Sequence, residues 1–112
     1  MNDNVTIVEV GARDGLQNEK QIINTQVKFE FIKKLIDAGV SIVEVSSFVR
    51  PDKIPQMSDA KELFRLVQGE FGTDVRMPCL VPNLKGLEGA LEVGVKEVAL
   101  FTATSNSFNK NN

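Results

Sequence analysis

Arg13 and Asp14 stand side by side in the stretch VTIVEVGARDGLQNEK, residues 5–20. The pair joins a forked cation to a hard oxygen donor. The guanidinium can hold a carbonyl or anionic oxygen through parallel N–H groups, and the carboxylate can take a hard cation beside it. Gln17, Asn18 and Glu19 crowd the same polar turn. Taken alone, Arg13 and Asp14 are better read as a local ion pair or a turn cap, since such exposed pairs are common and weak. GARDG is not a phosphate loop, because the terminal Lys-Ser/Thr of that motif is missing.

Two further carboxylates, Glu9 and Glu44, sit inside matching β-branched runs, Ile7-Val8-Glu9-Val10 and Ile42-Val43-Glu44-Val45. Strand alternation puts Val43 and Val45 on one face and Glu44 on the other, and the same reading places Glu9 opposite Val8 and Val10. Ile7, Glu9, Ile42 and Glu44 are then expected to share one face. Glu9 and Glu44 are alternatively partners of a buried Arg or Lys.

The elements that must hold these groups alternate along the chain. A first strand begins at Val5 and ends at Gly11, where the backbone is free to turn. Thr25 or Asn24 can cap a helix whose apolar positions Val27, Phe31, Leu35 and Ala38 recur at helical spacing, with Gly39 as its C′ residue. Residues 41–45 form a second strand. Pro51 and Pro55 forbid a regular helix over residues 46–57 and make that segment a long, stiffened loop. Ser58 is placed to cap a helix with Ala60, Leu63, Phe64 and Val67 on one face, stopping around Gly69 to Gly72. A third strand is expected over 76–81, a helix opened by Pro82 and Asn83 and closed by Gly94, and a fourth strand over 97–101. The tail TATSNSFNKNN is polar and carries no apolar period.

Composition bounds the function classes. The chain has 112 residues, 42% hydrophobic and 25% charged, with a net charge of −2. That charge gives no general attraction to nucleic acid or to an anionic membrane, and no apolar run approaches a membrane span. Residues 1–4 are polar and the next residues form a short strand, so no signal peptide is expected. The single cysteine, Cys79, has no internal disulfide partner and fits a reducing cytoplasm; its bland reading is a buried small hydrophobe. The length suits one domain of modest core, residues 1–112, and not a closed barrel of about 250 residues.

A β-α-β-α-β-α-β order with short connections calls for a parallel sheet covered by helices. The repeated IVEV runs and the helix exits Ala38-Gly39-Val40 and Val93-Gly94-Val95 favour one repeating βα unit. A doubly wound sheet would share that signal, but it buries both faces under helices and makes mid-sheet carboxylates expensive. The expected fold is α/β, the first four strands of a TIM (β/α)₈ barrel, incomplete.

The motifs VEVGARDGLQNE, VEVSSFVRPDKIPQM and LVPNLKGLEGALEVGVKEVALFTATS, in this order and spacing, resemble the amino-terminal part of the hydroxymethylglutaryl-CoA lyases. That group is similar in turn to the metal-dependent barrel lyases and acyltransferases. The RDG core is common to the wider family, whereas GLQNE with SSFVxPxxIPQM points to the lyases. The resemblance implies cleavage of 3-hydroxy-3-methylglutaryl-CoA to acetyl-CoA and acetoacetate, in leucine degradation, with Mg²⁺ or Mn²⁺. It implies Arg13 as a catalytic residue at the substrate carbonyl, Asp14 as a metal ligand, Glu44 as an acidic catalytic residue near the metal, and Gln17 as a substrate contact. The chain contains no histidine, so the family's later histidine ligands are missing, and the resemblance implies a fragment inactive alone. A related acyl-CoA aldolase or synthase, or a free-standing module that binds a ligand or partner without turnover, are the other readings. The acyl-CoA substrate is the expected partner. Lys20, Lys85, Lys96 and Lys110 could attract it, though solvated surface charge accounts for them too. Open sheet edges make homo-oligomers or self-association expected.

Overall fold

The computed structural model describes residues 7–50 and 52–100. The start of the first strand at Val5, Pro51, Lys110 and the stretch from Phe101 onward lie outside the described residues. Among the described residues, three α-helices and one parallel ladder make up the fold: α1 (Thr25–Asp37), α2 (Ala60–Phe71), β1 (Cys79–Leu80), α3 (Leu84–Glu92) and β2 (Val98–Ala99). Cys79 pairs with Val98 and Leu80 with Ala99, both parallel. Single parallel bridges, Glu9 to Val43, Ile42 to Arg76 and Ser47 to Leu80, bring the runs at 7–10 and 42–47 into the same ladder. The chain therefore lays down four neighbouring parallel runs in sequence order, the expected part of a TIM barrel.

Local chemistry explains the helix ends. The Asn24 side chain accepts from the Gln26 N–H at 2.7 Å and the Asn83 side chain from the Gly86 N–H at 2.8 Å, each satisfying a first-turn donor. Gly39, Gly72 and Gly94 leave their helices with φ of 105°, 56° and 86°, a region closed to most side chains. Ser58 does not cap α2: its N-cap residue is Asp59, which makes no capping bond. The Asp59 carboxylate is turned instead toward α1, where it takes Lys28 and Thr25.

The core lies between the helices and the ladder, with Ile32, Val43, Val45, Leu63, Phe64, Val67 and Cys79 in one cluster. Here α1 departs from its expected face. Val27 is 57% exposed, Phe31 is 36% exposed and Ala38 is exposed, whereas Lys28 and Ile32 are buried and Phe29 and Ile36 pack on the cluster. Two overlapping apolar stripes run along this helix. The one centred on Lys28 and Ile32 wins because α2 supplies a carboxylate for the buried ammonium.

The ladder also corrects the placement of Glu9. Its N–H donates to the Ile42 carbonyl and its carbonyl accepts from the Glu44 N–H, which makes Val43 its neighbour. Paired residues in a ladder point to the same side, so Glu9 lies on the helix face with Val43, not on the face of Ile42 and Glu44. The two IVEV runs are thus offset by one residue. Ile42 and Glu44 are both buried, while Ile7 is 78% exposed.

Candidate active site

The polar turn after the first run is helical. Residues Gly11–Gly15 form one wide helical turn, in which the Leu16 N–H reaches the Gly11 carbonyl. Turns of this width are frequent at functional positions. Glu9 braces it from below, its Oε1 accepting from the Gly11 N–H at 2.9 Å. A side chain at Gly11 would meet that oxygen at 2.8 Å, so the Glu9 carboxylate would have to shift to admit one.

The turn aims Arg13 across the ladder at Glu44. The Arg13 Nε–H donates to Glu44 Oε1 at 2.5 Å, and Nη1 donates to Asp14 Oδ1 at 3.2 Å. Burial divides the three. The Arg13 side chain is 17% exposed and Glu44 only 7%, while Asp14 is 56% exposed. A guanidinium is thereby fixed between a buried carboxylate and a solvent-facing one. The Asn18 side chain donates to the Asp14 carbonyl at 2.8 Å and tightens the next turn. Gln17 belongs to the same segment, and its Oε1 is buried with no hydrogen-bond partner among the described residues.

The adjoining loop carries a feature that strand periodicity hides. Ile42 faces Arg76 and Ser47 faces Leu80, so the steps 42 to 47 and 76 to 80 differ by one residue. Leu80 donates to the Ser46 carbonyl at 3.0 Å and accepts from the Phe48 N–H at 2.8 Å, the two bonds that flank a Ser47–Leu80 pair, while the Val45 N–H reaches the Pro78 carbonyl at 3.0 Å, so the extra residue falls at Val45–Ser46, opposite Cys79. This is a β-bulge, a device that re-aims side chains at sheet ends. Both serines are fully buried. Ser46 Oγ donates to Met57 Sδ at 3.5 Å, whereas Ser47 Oγ has no hydrogen-bond partner among the described residues.

The donor set does not complete a cation site. Among the described residues no group of three or more His, Cys, Asp or Glu side chains could hold a metal ion. Asp14 offers one carboxylate, already shared with Arg13, and that fits a single coordination position. Cys79 is no ligand: it is buried in the core, and burial pushes its thiol from an ordinary value of 9.0 up to about 12.

Sequence reasoning found Arg13, Asp14, Gln17 and Glu44, and the structure brings Arg13, Asp14 and Glu44 together. It missed Ser47, whose only signal is two small polar residues closing an apolar run, and Lys28, a lone cation within an apolar helix stripe.

Fold and cluster define a class: part of a parallel TIM-barrel α/β protein with a charged site on the loops at the carboxyl ends of its strands. The chain belongs to the HMGL-like family, whose model matches residues 4–112. It is 50% identical over 108 residues to the mitochondrial hydroxymethylglutaryl-CoA lyase of Arabidopsis thaliana, covering 96% of this chain and 23% of that protein. Against the cytoplasmic 3-hydroxy-3-methylglutaryl-CoA lyase of Rattus norvegicus it is 51% identical, covering 96% and 31%. The Bacillus subtilis HMG-CoA lyase superposes with a TM-score of 0.84 at 42% identity over 96% of this chain and 36% of that one. An HMG-CoA lyase from Acinetobacter baumannii, solved with coenzyme A and 3-methylmalate, gives 0.78 at 36% identity, over 91% and 33%. The chain spans 23% and 31% of the length of these two curated relatives.

Proposed function

We propose that residues 1–112 are the amino-terminal part of a single (β/α)₈-barrel lyase that cleaves 3-hydroxy-3-methylglutaryl-CoA to acetyl-CoA and acetoacetate, as in leucine degradation. In that cleavage the C3 hydroxyl gives up its proton and the C2–C3 bond breaks. The electron pair stays on C2 as the thioester enolate, which then takes a proton to give acetyl-CoA. The hydroxyl carbon becomes the ketone of acetoacetate.

The carrying observation is the Arg13 guanidinium held by Glu44 at 2.5 Å on loops at neighbouring strand ends. A cation fixed before the reaction needs no reorganisation as charge develops on the thioester oxygen, and this is the largest contribution one donor can make. Glu44 orients the guanidinium through Nε. Gln17 contacts substrate through the acceptor oxygen that no group among the described residues satisfies. Asp14 is the position that would hold a divalent cation, Mg²⁺ or Mn²⁺, which when bound supplies further positive charge for the oxyanion. The remaining ligands must come from outside the 112 residues, and the chain alone is inactive.

The acyl-CoA partner is supported by the coenzyme A in the A. baumannii structure. A cytoplasmic location goes with the free thiol of Cys79 and with the cytoplasmic relatives, although mitochondrial relatives are as similar. Apolar groups such as Ile7, Val8, Val98 and Leu100 are exposed along the outer runs, which supports self-association through these edges. The test is a chimaera in which these 112 residues replace the matching part of the B. subtilis lyase. Acetoacetate release by the chimaera and none by the isolated chain supports the reading; a folded chimaera without turnover refutes it.

A further inference from the structure

Among the described residues Lys28 is one of the largest fully buried side chains, 1% exposed on α1. Its ammonium donates to Asp59 Oδ1 at 2.7 Å and to the backbone carbonyl of Gln56. The other Asp59 oxygen accepts from Thr25 Oγ1 at 2.5 Å. Gln56 in turn reaches back through Nε2 to the carbonyl of Glu19 at 2.6 Å. One buried cation thus gathers the start of α1, the short helical turn Pro55–Met57, the residue before α2, and the far end of the segment that carries Arg13, Asp14 and Gln17.

Stability alone is a poor reason for this arrangement. Taking an ammonium and a carboxylate out of water costs about as much as their attraction returns, and apolar residues of the same shape commonly do as well. What an ionic knot gives that an apolar contact does not is a fixed register, since its donors and acceptors match in one geometry only. The register at stake here is between two loops. The 11–20 segment is anchored near Arg13 by Glu9 and Glu44, and at Glu19 by Gln56. The 46–57 loop is anchored at Ser46 and Phe48 by Leu80, and at Gln56 by Lys28.

We infer that Lys28 is a positioning residue, which through Gln56 and Asp59 sets the loop bearing Arg13, Asp14 and Gln17 against the loop bearing Ser46 and Ser47. The inference rests on the proposed role of the Arg13 loop, but its test reads loop order and not catalysis.

Hydrogen–deuterium exchange of the 112-residue chain, followed by peptide, supplies that test. Lys28→Met removes the charge at similar length and leaves Asp59 unpaired. The companion Lys28→Met/Asp59→Asn carries no unpaired charge, retains an oxygen for Thr25, and keeps the test alive where the single variant does not fold. In the double variant, peptides spanning 11–23 and 46–58 exchange about tenfold faster or more, the consequence of losing one hydrogen bond from a charged donor. Peptides from β1 and α3, residues 79–92, keep their wild-type protection. Gln56→Ala leaves the Lys28 carbonyl contact in place and accelerates 11–23 alone. Uniform acceleration across all peptides in the double variant, or unchanged exchange over 11–23, makes Lys28 a stabilising group only and overturns the inference. Failure of the lyase reading would leave these exchange patterns untouched.

Discussion

Glu44→Gln isolates what the buried carboxylate does for Arg13. The amide keeps the shape and one acceptor oxygen, so the 2.5 Å contact to Arg13 Nε survives as a neutral hydrogen bond. A charge-assisted bond is worth roughly 1.5–3 kcal/mol and a neutral one roughly 0.5–1.5, so the exchange costs about 1 kcal/mol. A second contribution comes from the guanidinium. With its side chain 17% exposed, Arg13 keeps only Asp14, 56% exposed and 3.2 Å away, as a counter-charge. Removing one partner of a buried pair costs about 3–5 kcal/mol, and the remaining exposed partner returns part of that. A total near 2 kcal/mol is expected, or roughly 8–16 °C in melting temperature for a domain of this size. Circular dichroism melts of the wild type, Glu44→Gln, Arg13→Met and the double variant close the cycle. The expected coupling is at least about 1 kcal/mol, since the groups touch. Additive effects within about 0.3 kcal/mol, or a Glu44→Gln melt within about 2 °C of wild type, would show that the pair does not hold Arg13 in place.

Two further outcomes follow from burial and space. Burial raises the Cys79 thiol to about 12 from 9.0, so folding protects the protonated form: the stabilisation is complete below pH 9 and is lost as pH rises toward 12. Relative to Cys79→Ala, the wild type should lose roughly 2 kcal/mol between pH 8 and pH 10.5, read as diverging melting temperatures; parallel melts across that range would refute it. A side chain at Gly86 would lie 2.3 Å from the Phe48 carbonyl oxygen, whereas one at Gly69 meets nothing within 4 Å. Gly86→Ala should therefore destabilise by about 2 kcal/mol through backbone displacement, and Gly69→Ala, inside α2, should stabilise by up to about 1 kcal/mol. Equal signs for the two in urea titrations would contradict the packing described.

Much of this fold can be read from local chemistry, because caps and exits are decided by single residues. Asn24, Asn83, Gly39 and Gly94 mark their helix ends by what their own side chains or φ angles permit. The quoted motifs identify the family for a similar reason, since they fix residue types at fixed spacings. What periodicity does not carry is register between segments distant in sequence. The buried face of α1 depends on Asp59, 31 residues from Lys28. The side on which Glu9 lies depends on a pairing with Val43 that a one-residue slip reverses. The Val45–Ser46 bulge is set by the partner run at 76–80. Arg13 and Glu44 were each legible as chemistry-bearing residues, but their contact was not, because the helical turn that joins them hangs on the Glu9 carboxylate.

The central claim is that Arg13 meets charge that develops as the C2–C3 bond breaks, and steady-state kinetics of Arg13→Lys in the B. subtilis chimaera test it most directly. Lysine keeps the charge and loses the fork of donors. The account predicts a fall in kcat of roughly two to three powers of ten with KM little changed, the signature of an interaction made mainly in the transition state. A chimaera whose kcat is unchanged by Arg13→Lys would contradict it and leave Arg13 a structural partner of Glu44.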